Sequence, residues 1–283
     1  MLKYSILTEQ FVQNADIGLV PRSSPVKVEI PTAVDEPDRS AVKSLRKALA
    51  VLNAVASADH PLTVANVAIN AGIARPTAYR FVQTLVAAGY LTQDPADGRL
   101  SMGFAVLPLA SSLLDRNRMR KEALPHLQSL AQQTGERANL GVLYRDRVMY
   151  VAGVEKPALP TIYSRFGKSA PAHCSSLGKA ILAFQPEAEV RALLARKPLT
   201  AFTPTTITNP AVFAKELGQT RERGYAIDRA EHALGSCCVA APIFDANNRP
   251  IGAIGVSGRD LEPLVKHQEL VRHTAEVISH HLL

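Results

Sequence analysis

The sequence predicts an α+β fold, with an N-terminal winged helix-turn-helix, a linker helix and a C-terminal mixed α/β domain whose sheet is mostly antiparallel. Three observations lead to this prediction. After Ser40, apolar residues recur every three to four positions in successive segments, which is typical of amphipathic helices. A turn signal at 94–98 then separates two short strand candidates. Beyond Gly135, short apolar runs alternate with helical segments, and 283 residues suffice for two domains.

Composition and cysteine usage narrow the class of protein. Apolar residues make up 47% of the chain and charged residues 20%, which is ordinary for a protein that buries a core. No apolar run approaches the ~20 residues needed to cross a bilayer, and Met1–Gln10 lack a signal-peptide core, so we expect a cytoplasmic protein without membrane contact. Cys174, Cys237 and Cys238 are odd in number and two are adjacent, which favours free thiols. Paired Cys-x-x-Cys spacing, which a structural zinc site would need, is absent, so we expect no metal. We also expect no cofactor.

Three helices are predicted in the segment 41–103. The first carries one apolar stripe, made by Val42, Leu45, Leu49, Leu52 and Val55. Thr63 has the position of an N-cap for a short second helix that stops at Ala71-Gly72. Pro76 suits the first turn of a third helix, and Gly89 suits its C-terminal end. Two helices joined by a tight Gly-containing turn form a helix-turn-helix.

A hairpin and a linker follow these helices. Tyr90–Thr92 and Arg99–Met102 flank the turn signal, so they are predicted to form a wing. Residues 104–122 are predicted to form a linker helix, and Pro125 to mark a break or a new helix start. The last domain would then be 123–283.

The segments at the two ends of the chain differ in character. Residues 1–40 contain Pro21, Pro25, Pro31 and Pro37 and show no sustained period, so they are predicted to form an extended or disordered arm.

The C-terminal domain is predicted to have strands at Ala138–Tyr144, Val148–Val154, Thr161–Arg165, Tyr225–Asp228, Cys238–Phe244 and Ile251–Ser257. Its predicted helices are Ser176–Phe184, Glu187–Arg196, Pro210–Arg223 and Glu262–Leu283. This alternation of strands and helices indicates a mixed α/β domain.

The positive charge is concentrated in one part of the chain. Residues 41–121 hold ten Lys and Arg against four Asp, a balance of +6, whereas the whole chain carries +7. Such a segment favours a polyanionic partner whose phosphates it neutralises, and double-stranded DNA fits a helix-turn-helix. The alternative is a solvated basic face on a small three-helix packing unit that never touches DNA.

The outward residues of the third helix are the candidates for DNA contact. They are the residues off its apolar stripe, namely Arg75, Thr77, Tyr79, Arg80 and Gln83. Arg bonds guanine with two hydrogen bonds and Gln suits adenine, while Thr77 at the helix start suits a phosphate. Arg99 on the wing is predicted to reach the flanking backbone or the minor groove.

Three stretches resemble the isocitrate-lyase-regulator (IclR) type of transcription factor. One runs from Ala71 to Leu85 and on to Gly89-Tyr90-Leu91, and looks like that family's recognition helix. The stretch Gly224-x3-Asp228-x2-Glu231-x6-Cys238-Val239-Ala240-x2-Ile243-Phe244-Asp245 is similar to its C-terminal signature. The third, His173 to Ala183, looks like its pocket-lining loop and helix. The resemblance covers Val42 to the C-terminus and implies that the last domain is GAF-like.

The resemblance also implies a sensor that shifts its affinity for operator DNA when a small organic or aromatic acid binds the C-terminal domain. Carried over by position, the effector-facing residues are Ile162, Ser176, Leu177, Asp228, Cys238 and Ser257. Gly255 and Leu177 depart from the family pattern, which more often has a hydroxyl and a small residue there. Repression is the commoner outcome, and the family implies homodimers or dimers of dimers.

Other interpretations of these residues stay open at this point. Asp228 either accepts from a ligand hydroxyl or amide or, like Glu231, fastens a loop through backbone hydrogen bonds. Ser176-x-x-Lys179 matches a serine acyl-transfer motif, yet its partner motifs are absent, so we expect no enzyme. An enzyme that uses the C-terminal pocket and an adaptor with a degenerate winged helix remain the alternative classes.

Overall fold

A computed structural model describes residues 42–156, 167–196 and 198–283. Its first domain contains three helices and a short hairpin, with the bounds α1 Lys43–Ala56, α2 Val64–Asn70, α3 Arg75–Ala87, β1 Leu91–Gln93 and β2 Leu100–Met102. The Thr63 hydroxyl accepts from the backbone N–H of Asn66 and caps α2, as its position predicts. The buried side chains of Val51, Val67 and Val82 bring the three helices together.

The hairpin is fastened to the helices as well as to itself. β1 and β2 pair antiparallel, and Leu62, ahead of α2, exchanges backbone hydrogen bonds of 3.1 and 2.7 Å with Leu100. Leu91 and Leu100 are buried against the helical core. The wing is therefore held at a fixed position beside α3.

Two helices, α4 Val106–Arg116 and α5 Arg118–Thr134, connect the two domains. They separate at Asn117, whose side chain accepts from the backbone N–H of Arg120 at 2.9 Å and caps α5. The prediction that Pro125 marks a break or a new helix start is wrong, because Pro125 lies inside α5. A proline there removes one helical hydrogen bond, but the buried Ala123 and Leu127 on either side anchor the helix to the second domain's core.

The second domain is built on a six-stranded sheet with the order β5-β4-β3-β8-β7-β6, in which every neighbouring pair is antiparallel. The strands are β3 Arg137–Tyr144, β4 Arg147–Val154, β5 Ser169–Pro171, β6 Ala226–Arg229, β7 Cys237–Phe244 and β8 Pro250–Gly258. The helices are α6 Ser176–Leu182, α7 Glu187–Arg196, α8 Pro210–Arg223, α9 Leu261–Lys266 and α10 Gln268–Leu282. The predicted α+β fold is confirmed.

Helices cover both faces of this sheet. The face carrying Val239 and Ile254 packs against α5, α9 and α10, whereas the face carrying Ala240 and Ala253 packs against α6 and α8. Successive residues of β7 and β8 therefore enter opposite cores, as the period of a strand requires. A cleft opens on the α6 side.

The structure differs from the predicted elements at three places, and the first is the linker, where the single helix predicted over 104–122 is two helices that separate at Asn117. Strand β5 was not predicted from its three residues. The predicted terminal helix Glu262–Leu283 is two helices, which meet at His267 so that Leu264 and Val271 both face the sheet. The predicted strand Thr161–Arg165 lies outside the described residues.

Candidate functional site

The outer face of α3 presents most of the predicted DNA contacts to solvent. Its inner residues Ala78 and Val82 are buried. Thr77, near the start of the helix, is half-buried, whereas the other four candidates are exposed, namely Arg75, Tyr79, Arg80 and Gln83. Ala74, the residue before α3, makes no side-chain capping hydrogen bond to the first N–H groups of the helix.

Arg99 is held close to the wing. Its Nε lies 3.2 Å from Asp97 Oδ2, and its Nη1 donates to the carbonyl of Pro61 at 3.0 Å. The side chain is half exposed. An Arg99 contact with DNA would therefore require it to leave Asp97, and the predicted contact stays a prediction.

The cleft of the second domain lies between the start of α6 and the strands β3, β6, β7 and β8. In this structure the space inside it is small, about 10 Å³, which is room for about one water molecule. It is lined by Asn139, Tyr150, Ala170, Ser175, Ser176, Leu177, Asp228, His232, Ser236, Cys238, Gly255, Val256 and Ser257. Five of the six predicted effector residues line it, and the sixth, Ile162, lies outside the described residues.

Strand register brings three of those residues side by side. Asp228 on β6 pairs with Cys238 on β7, and Cys238 pairs with Ser257 on β8. Paired residues in neighbouring strands put their side chains on the same face of a sheet. Asn139 on β3 extends the row, since its Nδ2 donates to Ser257 Oγ at 2.5 Å. No pattern in the sequence predicted Asn139, Tyr150, His232 or Ser236 as lining residues.

Gly255 departs from the family pattern for a visible reason. A Cβ at this position would lie 2.4 Å from the carbonyl oxygen of Val239 and 2.7 Å from the Ala240 Cβ. A hydroxyl-bearing side chain here would require the backbone to shift. Ser257 and the Asn139 amide therefore supply the polar groups at this wall of the cleft.

Asp228 is the acidic group of the cleft. It is 4% exposed, and its Oδ1 accepts from the backbone N–H of Glu231 at 2.7 Å. Burial raises the pKa of the Asp228 carboxyl to about 7, and the neighbouring Glu231 charge adds to the rise. The backbone hydrogen bond from Glu231, the Lys179 charge and a hydrogen bond with the Cys238 side chain oppose it. Asp228 thus both lines the cleft and fastens the loop after β6.

A buried charge cluster lies behind the cleft, and the sequence did not predict it. Lys179 is fully buried, with Nζ 2.6 Å from Glu231 Oε1 and 3.6 Å from Glu216 Oε1. Arg223 Nη2 lies 2.8 Å from the same Glu216 oxygen. Burial alone would raise the pKa of Glu216, but Lys179 and Arg223 outweigh it and hold that pKa below its usual value. The only signal in the sequence is a lysine inside the otherwise apolar segment 177–183.

Glu231 does more than the backbone fastening that the sequence favoured. Its Oε1 accepts from the N–H of Arg229 at 3.3 Å and from Lys179, so one carboxylate joins the loop after β6 to α6. Its Oε2 is buried and has no hydrogen-bond partner. The ion pair therefore ties together the two walls of the cleft.

The three cysteines all lie in the second domain. Cys174 and Cys237 are buried and free, and burial raises the pKa of both thiols, which disfavours the reactive thiolate. Cys238 is half-buried and faces the cleft. Within the described residues, no group of His, Cys, Asp and Glu has an arrangement that could hold a metal ion. None of the described helices is long and apolar enough to cross a membrane.

A winged helix with an exposed basic recognition face, joined by helices to a second domain with a polar-lined cleft, is the architecture of a DNA-binding regulator. The comparisons identify the family. The chain matches the IclR helix-turn-helix domain over residues 44–95 and the bacterial transcriptional regulator IclR C-terminal domain over residues 111–280. It belongs to the IclR family of DNA-binding transcriptional regulators.

Two characterised relatives span most of the chain. It is 35% identical to the glycerol operon regulatory protein of Streptomyces coelicolor, over 85% of this chain and 96% of that protein. It is 33% identical to the transcriptional repressor IclR of Escherichia coli K12, over 81% of this chain and 84% of that protein. Both relatives are named as regulators, and each is matched over both domains.

Solved structures share the fold. The Thermotoga maritima IclR structure has a TM-score of 0.65 and 31% identity, covering 84% of this chain and 98% of that one. An IclR homologue from Microbacterium hydrocarbonoxydans, solved in complex with 4-hydroxybenzoate, has a TM-score of 0.73 and 24% identity, covering 84% and 98%. The GAF-like second domain predicted from the family resemblance agrees with these matches.

Proposed function

We propose that the protein is a repressor whose affinity for double-stranded operator DNA is controlled by a small organic or aromatic acid bound in the cleft. The observation that carries this proposal is the meeting of Ser176, Leu177, Asp228, Cys238 and Ser257 around one cavity. The residues come from four separate elements, and their polar groups converge on one concave space beside apolar residues, as at small-molecule sites. A repressor among the relatives supports repression rather than activation, and a 4-hydroxybenzoate complex of a homologue supports an aromatic acid as ligand.

The DNA contacts are proposed on the exposed face of α3. Arg75 and Arg80 are assigned to bases or phosphates, Gln83 to a base and Tyr79 to the groove wall, since all four are exposed. Thr77 is assigned to a phosphate, together with the uncapped N–H groups at the helix start. Arg99 would reach flanking DNA by exchanging Asp97 for a phosphate.

We also propose a homodimer, with dimers of dimers as a further level of assembly. No residue of α4 is buried. The exposed fractions of its side chains are 58% at Leu107, 58% at Leu109 and 70% at Leu113. Leu45 and Leu49 on α1 are 58% and 49% exposed. Exposed apolar side chains of this number favour an interface. A pair of winged helices joined there would read two half-sites, and α5 would carry a change in the cleft to their spacing.

The test uses the DNA upstream of the protein's own gene, because many regulators control their own transcription. In a mobility-shift assay we expect a complex that competes poorly with unrelated DNA and weakens as salt rises. A carboxylate effector should shift the midpoint of that titration. Neither an enzyme nor an adaptor with a degenerate winged helix would give sequence-specific binding, so its absence would contradict the proposal. A regulator of this kind works in the cytoplasm, beside the chromosome.

A further inference from the structure

The cleft contains a carboxyl group and no Lys or Arg among the described residues that line it. Asp228 is that carboxyl, 4% exposed. Elsewhere in proteins, carboxylate ligands are commonly met by Arg or Lys, which neutralise their charge. An acid that enters this cleft meets a buried acid instead.

The nearest ammonium group is already engaged. Lys179 is fully buried and contacts Glu231 at 2.6 Å and Glu216 at 3.6 Å. Arg223 and Arg229 also lie against Glu216, at 2.8 and 3.7 Å. Each of these three described bases is therefore already engaged with Glu231 or Glu216.

Among the described residues, the other titratable groups around Asp228 do not supply a permanent cation either. The groups that face it from the neighbouring elements are Glu231 in the following loop, Lys179 on α6, Cys174 before α6, Cys237 and Cys238 on β7, and His232 at the cleft wall. The thiols carry no positive charge in any state. Two carboxylates enclosed in one site cannot both stay ionised, and one of them takes a proton.

We propose, on the basis of the acid-sensing function above, that a carboxylate effector binds together with one proton taken up from solvent at Asp228. Oδ1 of Asp228 accepts from the N–H of Glu231, and the Cys238 side chain also hydrogen-bonds to this carboxyl. The proton is assigned to Oδ2, which then donates a hydrogen bond to the effector's carboxylate. Asp228 is in this way the residue that determines the charge class of the ligand. Its protonated form accepts an acid, whereas its ionised form suits a neutral hydroxyl compound.

Because Asp228 is buried, protonating it near neutral pH costs little free energy. The pKa of Asp228 in the free protein is already raised to about 7, so near neutral pH the group is divided between its two forms. The affinity for a carboxylate should then be nearly constant below about pH 6 and fall as the pH rises above about 7. Between pH 6 and pH 8, single-proton linkage gives about a tenfold loss of affinity.

The experiment is isothermal titration calorimetry on the full chain at pH 6 and pH 8, in buffers of different ionisation enthalpy. The probes are 4-hydroxybenzoate, benzoate, pyruvate and succinate, with 4-hydroxybenzamide and glycerol as uncharged counterparts. For a carboxylate that binds, we expect uptake of close to one proton per site at pH 8 and about tenfold weaker binding than at pH 6. Asp228→Asn, which mimics the protonated form, should bind equally at both pH values. Glu262→Gln, which changes a carboxylate whose side chain is 86% exposed, should keep the wild-type dependence.

The outcomes separate this inference from the function on which it rests. If a carboxylate binds wild type with the same affinity at both pH values and without proton uptake, the inference is overturned and acid sensing stands. The inference is also overturned if Asp228→Asn retains the tenfold pH dependence, because the proton then binds to another group. If no carboxylate binds either protein, acid sensing itself is overturned. The number of protons taken up on binding is measured on the wild-type protein, so this test remains valid even if Asp228→Asn folds poorly.

Discussion

Lys179 Nζ lies 2.6 Å from Glu231 Oε1 in the interior of the second domain, where the two side chains are 0% and 2% exposed. The backbone N–H of Glu231 in turn donates to Asp228. Lys179 belongs to α6, and Asp228 belongs to β6. This chain of contacts fixes the distance between two walls of the cleft.

Replacing Lys179 with Met should strongly destabilise the second domain. The change leaves Glu231 and Glu216 buried without their ammonium partner, and breaking a buried ion pair on one side costs about 3–5 kcal/mol. Urea unfolding followed by circular dichroism measures the loss. The double variant Lys179→Met with Glu231→Gln removes both charges and should recover part of it. A loss below about 1 kcal/mol in the single variant would mean that the pair is not coupled as the distances indicate.

Asp228→Asn should stabilise the folded protein more at pH 8 than at pH 5. The pKa of Asp228 is about 7 in the folded chain, against 3.8 for an unperturbed group, so between these values the folded state holds more protons than the unfolded state. The free energy of unfolding therefore falls as the pH rises through this window, and above it the penalty is on the order of a few kcal/mol. Asn keeps an acceptor for Glu231 but has no charge to bury.

Urea midpoints at the two pH values check this prediction. Glu262→Gln serves as the matched control, because its carboxylate is exposed and should show no such difference. If Asp228→Asn changed the free energy of unfolding equally at pH 5 and pH 8, the pKa of Asp228 would not be raised and the prediction would be wrong.

Gly178→Ala should destabilise the second domain and displace α6. A Cβ at Gly178 would lie 2.2 Å from the carbonyl oxygen of Ala172, which is backbone and cannot move aside alone. Forcing a methyl group into such a contact costs about 1–3 kcal/mol. Gly218→Ala on α8 is the control, since nothing lies within 4 Å of its Cβ position and the helix should gain about 0.5–1 kcal/mol. Opposite signs in thermal unfolding are expected, and equal signs would contradict the close approach.

Arg80→Ala should weaken binding to the specific operator. Arg80 is exposed on the outer face of α3, and loss of one base contact costs about 1–3 kcal/mol. Fluorescence anisotropy with labelled operator and with scrambled DNA separates a base contact from a phosphate contact, which would weaken both equally. Arg191→Ala, on α7 of the second domain, should leave both affinities unchanged. Unchanged operator binding by the Arg80 variant would remove Arg80 from the recognition surface.

Leu109→Glu with Leu113→Glu should break the proposed dimer without unfolding the chain. These side chains are 58% and 70% exposed, so the change costs little within one chain but places charges in an apolar interface. Sedimentation velocity should show the monomer, and operator affinity should fall because two half-sites are no longer read together. Val212→Glu, on an exposed position of α8, is the control. A dimer that survives the double change would locate the interface elsewhere.

Much of the first domain could be predicted from the sequence because local signals specify it. The Thr63 cap, Pro76 in the first turn of α3 and the turn at 94–98 act within a few residues, and the structure has the elements where these signals place them. The apolar stripe also located α1, although its first members, such as Leu45, are exposed within one chain. Pro125 was misleading, because helix packing outweighs the one hydrogen bond that a proline removes.

The sequence by itself determined the winged helix, the mixed second domain and the family, since periodicity, caps and the signature around Asp228 and Cys238 are written along the chain. Only the tertiary structure decided that Asp228, Cys238 and Ser257 stand in one row, because strand register between distant segments has no local signal. It also decided that Lys179 is paired inside the core and unavailable to a ligand. A charge cluster of this kind depends on which side chains folding brings within a few ångströms, and that follows from the packing of α6 and α8 against the sheet rather than from the spacing of residues in the chain.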